Sequence, residues 1–352
     1  MPRISLPCTA FARTAVIACL LLSLQACSGG GDSGMVVAPP PPPPPPPSPT
    51  IAQRSAAATT TAQNNSLCTA IRPFYWEVGD KNSTLASGSV NSTTDPSVYT
   101  ADTVMAIASS SKWIYGAYVA QLRAGLLSND DIKFLTFRSG YTNFSHCLPD
   151  QSVAECVAYA SNGVYDPVTD GLFSYGGGHM EKHASLNGLG SMHNAELATE
   201  IRAKLGNDIA LIYTQPQLAG GIAMAANDYA LFLRKMLDGQ LQLGHLLGTN
   251  AVCTNPTTCS QAHNTPIPRN ESWSYSLGHW VETDPVVGDG AFSSAGAFGF
   301  YPWIDVSKSW YGIVARKQAT PNQDLDEDLG EGYRSAQCGR LIRKAWVTAA
   351  VQ

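Results

Sequence analysis

"AIASSSKWIYG", residues 106–116, sets three serines directly ahead of a lysine, and which of them faces that lysine decides how the chain is read. On a helix, residues three apart share a face, while neighbours one or two apart do not. Only Ser109 stands three before Lys112, which leaves Ser110 and Ser111 to turn, helix surface or packing. A serine at a helix N-terminus lies beside backbone N–H groups that can hold a developing oxyanion. A lysine stripped of water loses its proton more readily and can then take the hydroxyl hydrogen. The run "KWIYGAYVAQLRAG" continues with helical spacing: Trp113, Ala117, Ala120 and Ala124 share a face, and Gly125 is a natural stop.

Ser-x-x-Lys occurs by chance in many chains, so the segments around it carry the weight. "FLTFRSG" (134–140), "FSYGGGHM" (173–180), "LAGGIAMAANDYALFLRKMLDG" (218–239) and "FSSAGAFGFYPWIDVSKSWYGIVAR" (292–316) follow in that order. Together with the serine segment they resemble the serine β-lactamase and penicillin-binding-protein superfamily, in the branch with class C β-lactamases, D-amino-acid peptidases and family VIII esterases. The likeness is to its "LLTHTSG", "FxYSN", "AGGLxSTAxDLAxFxxxLLxG" and "KTG" or "HTG" segments, and it spans about 74–316. The resemblance implies an α/β fold of the β-lactamase/transpeptidase type, with an antiparallel sheet flanked by helices and a mostly helical insertion. It implies Ser109 as nucleophile, Lys112 as its partner and Tyr175 as a phenol that shares the proton, an adjacent ammonium lowering the phenol's pKa. It places the oxyanion between the backbone N–H groups of Ser109 and Ala297, and it requires no cofactor and no metal.

Two positions depart from the pattern. Where the family has the asparagine of Tyr-x-Asn this chain has Gly177, and where it has Lys-Thr-Gly this chain has Ser294, Ala295 and Gly296. The carboxamide that meets a substrate amide and the cation that anchors a substrate carboxylate are both missing. These substrate-pocket changes favour an esterase-like hydrolase acting on a small ester or amide. A β-lactamase or D-alanyl-D-alanine carboxypeptidase working on cell-wall material is the first alternative, and an inactive envelope-binding relative is the second. Arg138 or Arg316 could replace the missing cation, but nothing in the sequence puts either in the pocket.

Texture along the chain agrees with that architecture. "IRPFYWEVGD" and "STLASGSVNS" read as strands joined at "GDKN"; the stretch 126–247 is mostly helix and loop, with "NDYALFLRKMLDG" its clearest helix, starting at Asn227 or Asp228 and ending at Gly239. From Trp273 strands return, and "GYRSAQCGRLIRKAWV" closes the chain as an amphipathic helix with Cys338, Leu341, Ile342, Ala345 and Trp346 on one side. Strands at both ends around a helical insertion imply termini that meet.

The N-terminal part has another character. Arg3 and Arg13 precede the apolar run "TAVIACLLLSL" (14–24), too short to span a bilayer and suited to a signal-peptide core. It ends in "LQAC", which resembles a lipobox with Cys27 as the lipidated residue; an ordinary signal peptide is the alternative. Residues 1–26 are therefore read as a lipoprotein signal, 27–67 as a Gly/Ser- and Pro-rich tether, and 68–352 as the hydrolase domain. The location expected is the cell envelope, with the domain facing the periplasm or exterior on its N-terminal lipid. Ser28 after that cysteine leans towards an outer membrane, again by resemblance.

Charged residues make up 14% of the chain, net charge is −5, and no Lys/Arg-rich stretch occurs, so nucleic acid is not an expected partner. Six cysteines lie beyond the tether, an even number suited to disulfides in an exported domain. Local spacing favours Cys147–Cys156 and Cys253–Cys259, which leaves Cys68 and Cys338 to clasp the domain's ends. "HMEKH" puts His179 and His183 one turn apart with His193 further on, but Glu181 is misplaced for a zincin motif. The acidic stretch "DLDEDLGEG" (324–332) lacks the glycine and final glutamate of a calcium loop. No Gly-x-Ser-x-Gly elbow is present, which argues against an α/β-hydrolase.

Overall fold

The computed structural model describes residues 48–318 and 330–352. Its main sheet has eight strands, all antiparallel, with the strand Phe74–Asp80 paired on one side with Thr84–Val90 and on the other with Trp310–Ala315. The order then runs through Tyr301–Ile304, Phe292–Ser293, His279–Val281 and Ser274–Ser276 to Val252–Cys253. N-terminal and C-terminal strands thus lie side by side, in the register Tyr75 to Ala315 and Val78 to Gly312. Residues Phe74 to Gly79 are buried without alternation, the mark of a strand covered on both faces.

Helices supply that cover. The C-terminal helix Gly330–Thr348 buries Cys338, Ile342, Ala345 and Trp346 as its spacing predicts. Arg343 is buried with them: it pairs with Glu282 at 2.8 Å and with Asp289, while Arg340 pairs with Glu271 and Glu282. Alone, burial would push the Glu282 carboxyl up, but Arg343 and Arg340 hold it at about 2. Cys68 and Cys338 form the disulfide that joins the two ends, and Cys147–Cys156 and Cys253–Cys259 are the other two. Closing 270 residues removes on the order of 5 kcal/mol of unfolded-state entropy in the chain-entropy picture.

The tether boundary expected at residue 67 is corrected. Ile51–Asn64 is a helix that belongs to the domain, opened by a capping box between Thr50 and Gln53 and burying Ala57, Ala58, Thr61 and Ala62. Arg54 donates to the Trp346 carbonyl, and the Gln352 N–H donates to Thr61 Oγ1. Its Ala, Thr, Ser and Gln composition reads as low complexity, yet Ala-rich sequence is also what lets two helices approach closely. Residues 1–26, read above as a lipoprotein signal, Cys27 and the Gly/Ser- and Pro-rich run 28–47 lie outside the described residues, as does most of the acidic stretch 324–332.

Two short pairings aim the candidate residues. Met105–Ala106 pairs with Ile222–Met224 and delivers the serine segment, while Phe173–Ser174 pairs with Ala262–Asn264 and ends immediately before Tyr175. Ile222–Met224 begins three residues after Ala219, whose carbonyl enters the site. The helix Ser111–Leu122 is buried on every side from Ser111 to Ala120, so it is a central core helix and not the one-sided helix its alanines suggest. The helix Ala226–Leu237 starts slightly before the expected Asn227 or Asp228 and stops ahead of Gly239, whose φ of +73° only glycine adopts freely.

Candidate active site

Ser109 sits in a single 3-10 turn, Ala108–Ser110, that runs straight into the helix Ser111–Leu122. Ala108 is held at φ +46°, a conformation that disfavours side chains and that recurs where tertiary structure forces a functional turn. This sharp entry leaves Ser109 half-exposed while Ser110, Ser111 and Lys112 are buried. Lys112 Nζ lies 2.9 Å from Ser109 Oγ and donates to the Ala219 carbonyl at 2.8 Å. Burial pushes the Lys112 ammonium down to about 7, against the pull of the buried Glu181 carboxylate, which raises it.

Tyr175 completes the group. Its ring stacks on Trp280 at 5.2 Å, meets Phe137 and Tyr275 edge-on, and lies 4.9 Å from Lys112 Nζ. Enclosure among these rings pushes the phenol up to about 12, with hydrogen bonding to Ser109 and Trp280 pulling the other way. The expected lowering of Tyr175 by a neighbouring ammonium is therefore corrected: desolvation raises the phenol, and the same desolvation leaves about half of the Lys112 amine neutral at pH 7. At neutral pH Lys112 is the group able to accept a proton, and Tyr175 is a donor.

The other two serines hold the wall opposite. Ser110 Oγ lies between the carbonyls of Ser294 (2.5 Å) and Phe300 (3.2 Å), and Ser294 Oγ donates to the Ser109 carbonyl at 3.2 Å. Ser111 Oγ accepts from the Ile222 N–H at 3.3 Å. Ser294, Ala295 and Gly296 are thereby pinned beside Ser109. A Cβ at Gly296 would collide with the Ile107 carbonyl and reach 3.2 Å from Ser110 Oγ, so only glycine allows this approach. Ala297 follows in an exposed turn. The structure therefore brings Ser109, Lys112, Tyr175 and the 294–297 segment together.

At the first departure from the family pattern the neighbouring side chain is aromatic. A Cβ on Gly177 would lie 2.8 Å from the Phe144 ring, so an aromatic side chain takes the room that an asparagine would need. Arg316 is buried against the Glu331 carboxylate and reaches Ser335 Oγ, while Arg138 bonds Thr136. Neither contact places a guanidinium beside Ser294.

The "HMEKH" residues have other duties. His179 spans Ser139 Oγ (2.7 Å) and the Ser174 carbonyl (2.9 Å), stacks on Phe137, and is pushed down to about 4 by burial. It thereby orients the strand that ends at Tyr175. His183 bridges Asp131 (3.0 Å) and the Tyr115 hydroxyl (2.8 Å). Phe144, Trp280 and Glu181 are residues that sequence reasoning missed. No local pattern marks Phe144 or Trp280; Glu181 stood in plain view, but only as a failed metal motif.

No family model matches the chain, and no curated protein matches its sequence. Solved structures do match in three dimensions. EstCE1, described as a hydrolase with promiscuous acyltransferase activity, superposes with a TM-score of 0.59 at 11% identity, covering 84% of this chain and 98% of its own. A penicillin-binding-protein homologue from Caulobacter crescentus gives 0.59 at 13% identity, covering 83% and 97%. The fold is that of the serine β-lactamases and penicillin-binding proteins. D-amino acid amidase from Ochrobactrum anthropi SV3 shares this β-lactamase-type fold, at 0.56 and 12% identity over 84% and 97%. The α/β architecture expected from the sequence is the one observed.

Proposed function

We propose that this β-lactamase-fold chain is a serine hydrolase that cleaves an ester through an acyl-enzyme on Ser109. The observation that carries it is the 2.9 Å contact between a half-exposed serine and a buried lysine held at about 7. In acylation the neutral Lys112 amine takes the Ser109 hydroxyl proton as Oγ bonds the carbonyl carbon. The oxyanion rests on the Ser109 and Ala297 N–H groups. As the C–O bond to the leaving group breaks, the departing oxygen takes a proton from the Tyr175 phenol, which is restored from the Lys112 ammonium. Water then repeats the sequence on the acyl carbon: Lys112 takes its proton, and Ser109 leaves with one.

Gly177 under Phe144, and Ser294 in place of a lysine, support an ester over a β-lactam or a D-alanyl peptide. Those substrates bring an amide and a carboxylate, and the site offers an aromatic ring and a hydroxyl. EstCE1, a hydrolase with acyltransferase activity, supports acyl transfer on this fold, and the amidase keeps a small amide within the reading. In this proposal Cys27 carries the lipid that holds the domain at the envelope, and labelled fatty acid should enter the wild-type chain and not Cys27→Ala.

Mass spectrometry after exposure to a fluorophosphonate, and separately to a penicillin, tests the chemistry. Wild type should gain the phosphonyl mass and Ser109→Ala should not. Labelling by neither reagent would leave an envelope-binding relative without catalysis, and a penicillin adduct or its turnover would make the chain a β-lactamase or carboxypeptidase.

A further inference from the structure

Glu181 takes no part in the acyl transfer just described, yet it is an acid with no solvent exposure in the centre of the domain. It projects from the helix Gly178–Leu186, which starts directly after the Tyr175 turn. Its two oxygens accept from consecutive backbone N–H groups, Leu218 at 3.0 Å and Ala219 at 3.0 Å. The carbonyl of that same Ala219 receives Lys112 Nζ at 2.8 Å, and Nζ in turn reaches Ser109 Oγ. A continuous path therefore runs from the carboxylate, through one residue of backbone, to the base and the nucleophile.

Resting on the acyl-enzyme reading above, we infer that Glu181 is a positioning residue for the reaction: it fixes the Ala219 carbonyl that holds Lys112 and supplies a buried negative charge to the amine. A carboxylate offers free acceptors on both arms, whereas a carboxamide would turn a donor towards one of the two N–H groups. A purely structural acceptor would have no need of charge, and burying a charge is costly unless it is compensated. The compensation here is mutual. Burial pushes Lys112 down and Glu181 up, each to about 7, and each group offsets the other's shift. Without the carboxylate, the amine would be a weaker base and less firmly aimed.

The other titratable groups around the pair keep their charge through the working range. Towards Lys112 stand Tyr175, a protonated phenol, and His179, neutral above about 4. Towards Glu181 stand the Tyr115 and Tyr213 phenols, both pushed far up by burial. Beyond Tyr115 lie His183, which burial pushes down, and Asp131, ionised through Arg123 and Ser128 although burial opposes it. Between roughly pH 6 and 9, Lys112 and Glu181 are the groups here that change charge.

The test is the rate of fluorophosphonate labelling of the full chain from pH 5 to 9, for wild type, Glu181→Gln and Glu181→Asp, with fold checked by thermal melting. In Glu181→Gln the acid limb should move to lower pH by about one unit, and the high-pH plateau should fall about tenfold as Lys112 loses its anchor. Glu181→Asp keeps the charge but not the reach, so its plateau should fall with the limb within about 0.3 of wild type. A Glu181→Gln limb that does not move, with or without a lower plateau, overturns the inference. So does failure of both variants to fold while Lys112→Met folds, because Glu181 would then act on the fold alone. A wild-type chain unlabelled at every pH would sink the acyl-enzyme reading itself, and this inference with it.

Discussion

Whether a desolvated Lys112 is the proton acceptor can be read from the pH dependence of acylation. Burial holds the amine at about 7, where an exposed lysine titrates at 10.5, and the phenol at about 12. If neutral Lys112 takes the Ser109 proton, the acylation rate follows the neutral fraction of the amine. That fraction is about one-tenth at pH 6, one-half at pH 7 and nine-tenths at pH 8. The rate should therefore rise about tenfold between pH 6 and 8 and then level. A lysine at its ordinary value, or tyrosinate as base, would instead give about a hundredfold rise over that interval, still climbing at pH 9. The assay is stopped-time labelling by an uncharged fluorophosphonate, whose own reactivity changes little over this range, read by mass. Lys112→Met should lose the plateau while Tyr175→Phe should keep the midpoint and lower the height. A wild-type rate that rises tenfold per pH unit beyond pH 8 would refute the reasoning, because the acceptor would then be an ordinary lysine or tyrosinate and not a desolvated Lys112.

Three further outcomes follow from particular contacts. Gly296→Ala forces a methyl against the Ile107 carbonyl and Ser110 Oγ and shifts the Ala297 N–H, so kcat on any ester turned over should fall about a hundredfold, with KM changed much less. Gly177→Asn should not create penicillin turnover, because Phe144 fills the space; it should instead lower stability by about 1–3 kcal/mol in thermal melts, and adding Phe144→Ala should recover most of that. Glu282→Gln uncouples Arg343 and Arg340 and should cost about 3–5 kcal/mol in denaturant unfolding. The sign with pH follows from a folded value of about 2 against an ordinary 4.5: the stability Glu282 contributes is present above pH 4.5 and is lost as pH falls towards 2.

Much of this protein was legible along the chain because it rests on local periodicity. Three-residue spacing alone separates Ser109 from Ser110 and Ser111, and the structure shows the cost of ignoring it: those two hydroxyls are buried and engaged with Ser294, Phe300 and Ile222. The pairs that cysteine spacing favours are the ones the structure brings together, and the texture of strands at both ends implied termini that meet. Where composition misled, a long-range partner was responsible. The segment 51–64 resembles a linker until the C-terminal helix lies against its alanines.

Electrostatics at the site belongs wholly to tertiary structure. Lys112 is held near neutrality because the helix that carries it is buried on every side, and Tyr175 stays protonated because Trp280, Phe137 and Tyr275 enclose it. Glu181 and Phe144 enter the site across 38 and 33 residues of chain, from the Ala219 N–H and from Gly177. Spacing on one helix determines which side chains can face each other. How much water surrounds them, and therefore which of them holds a proton, depends on elements distant in sequence and is decided only when those elements pack.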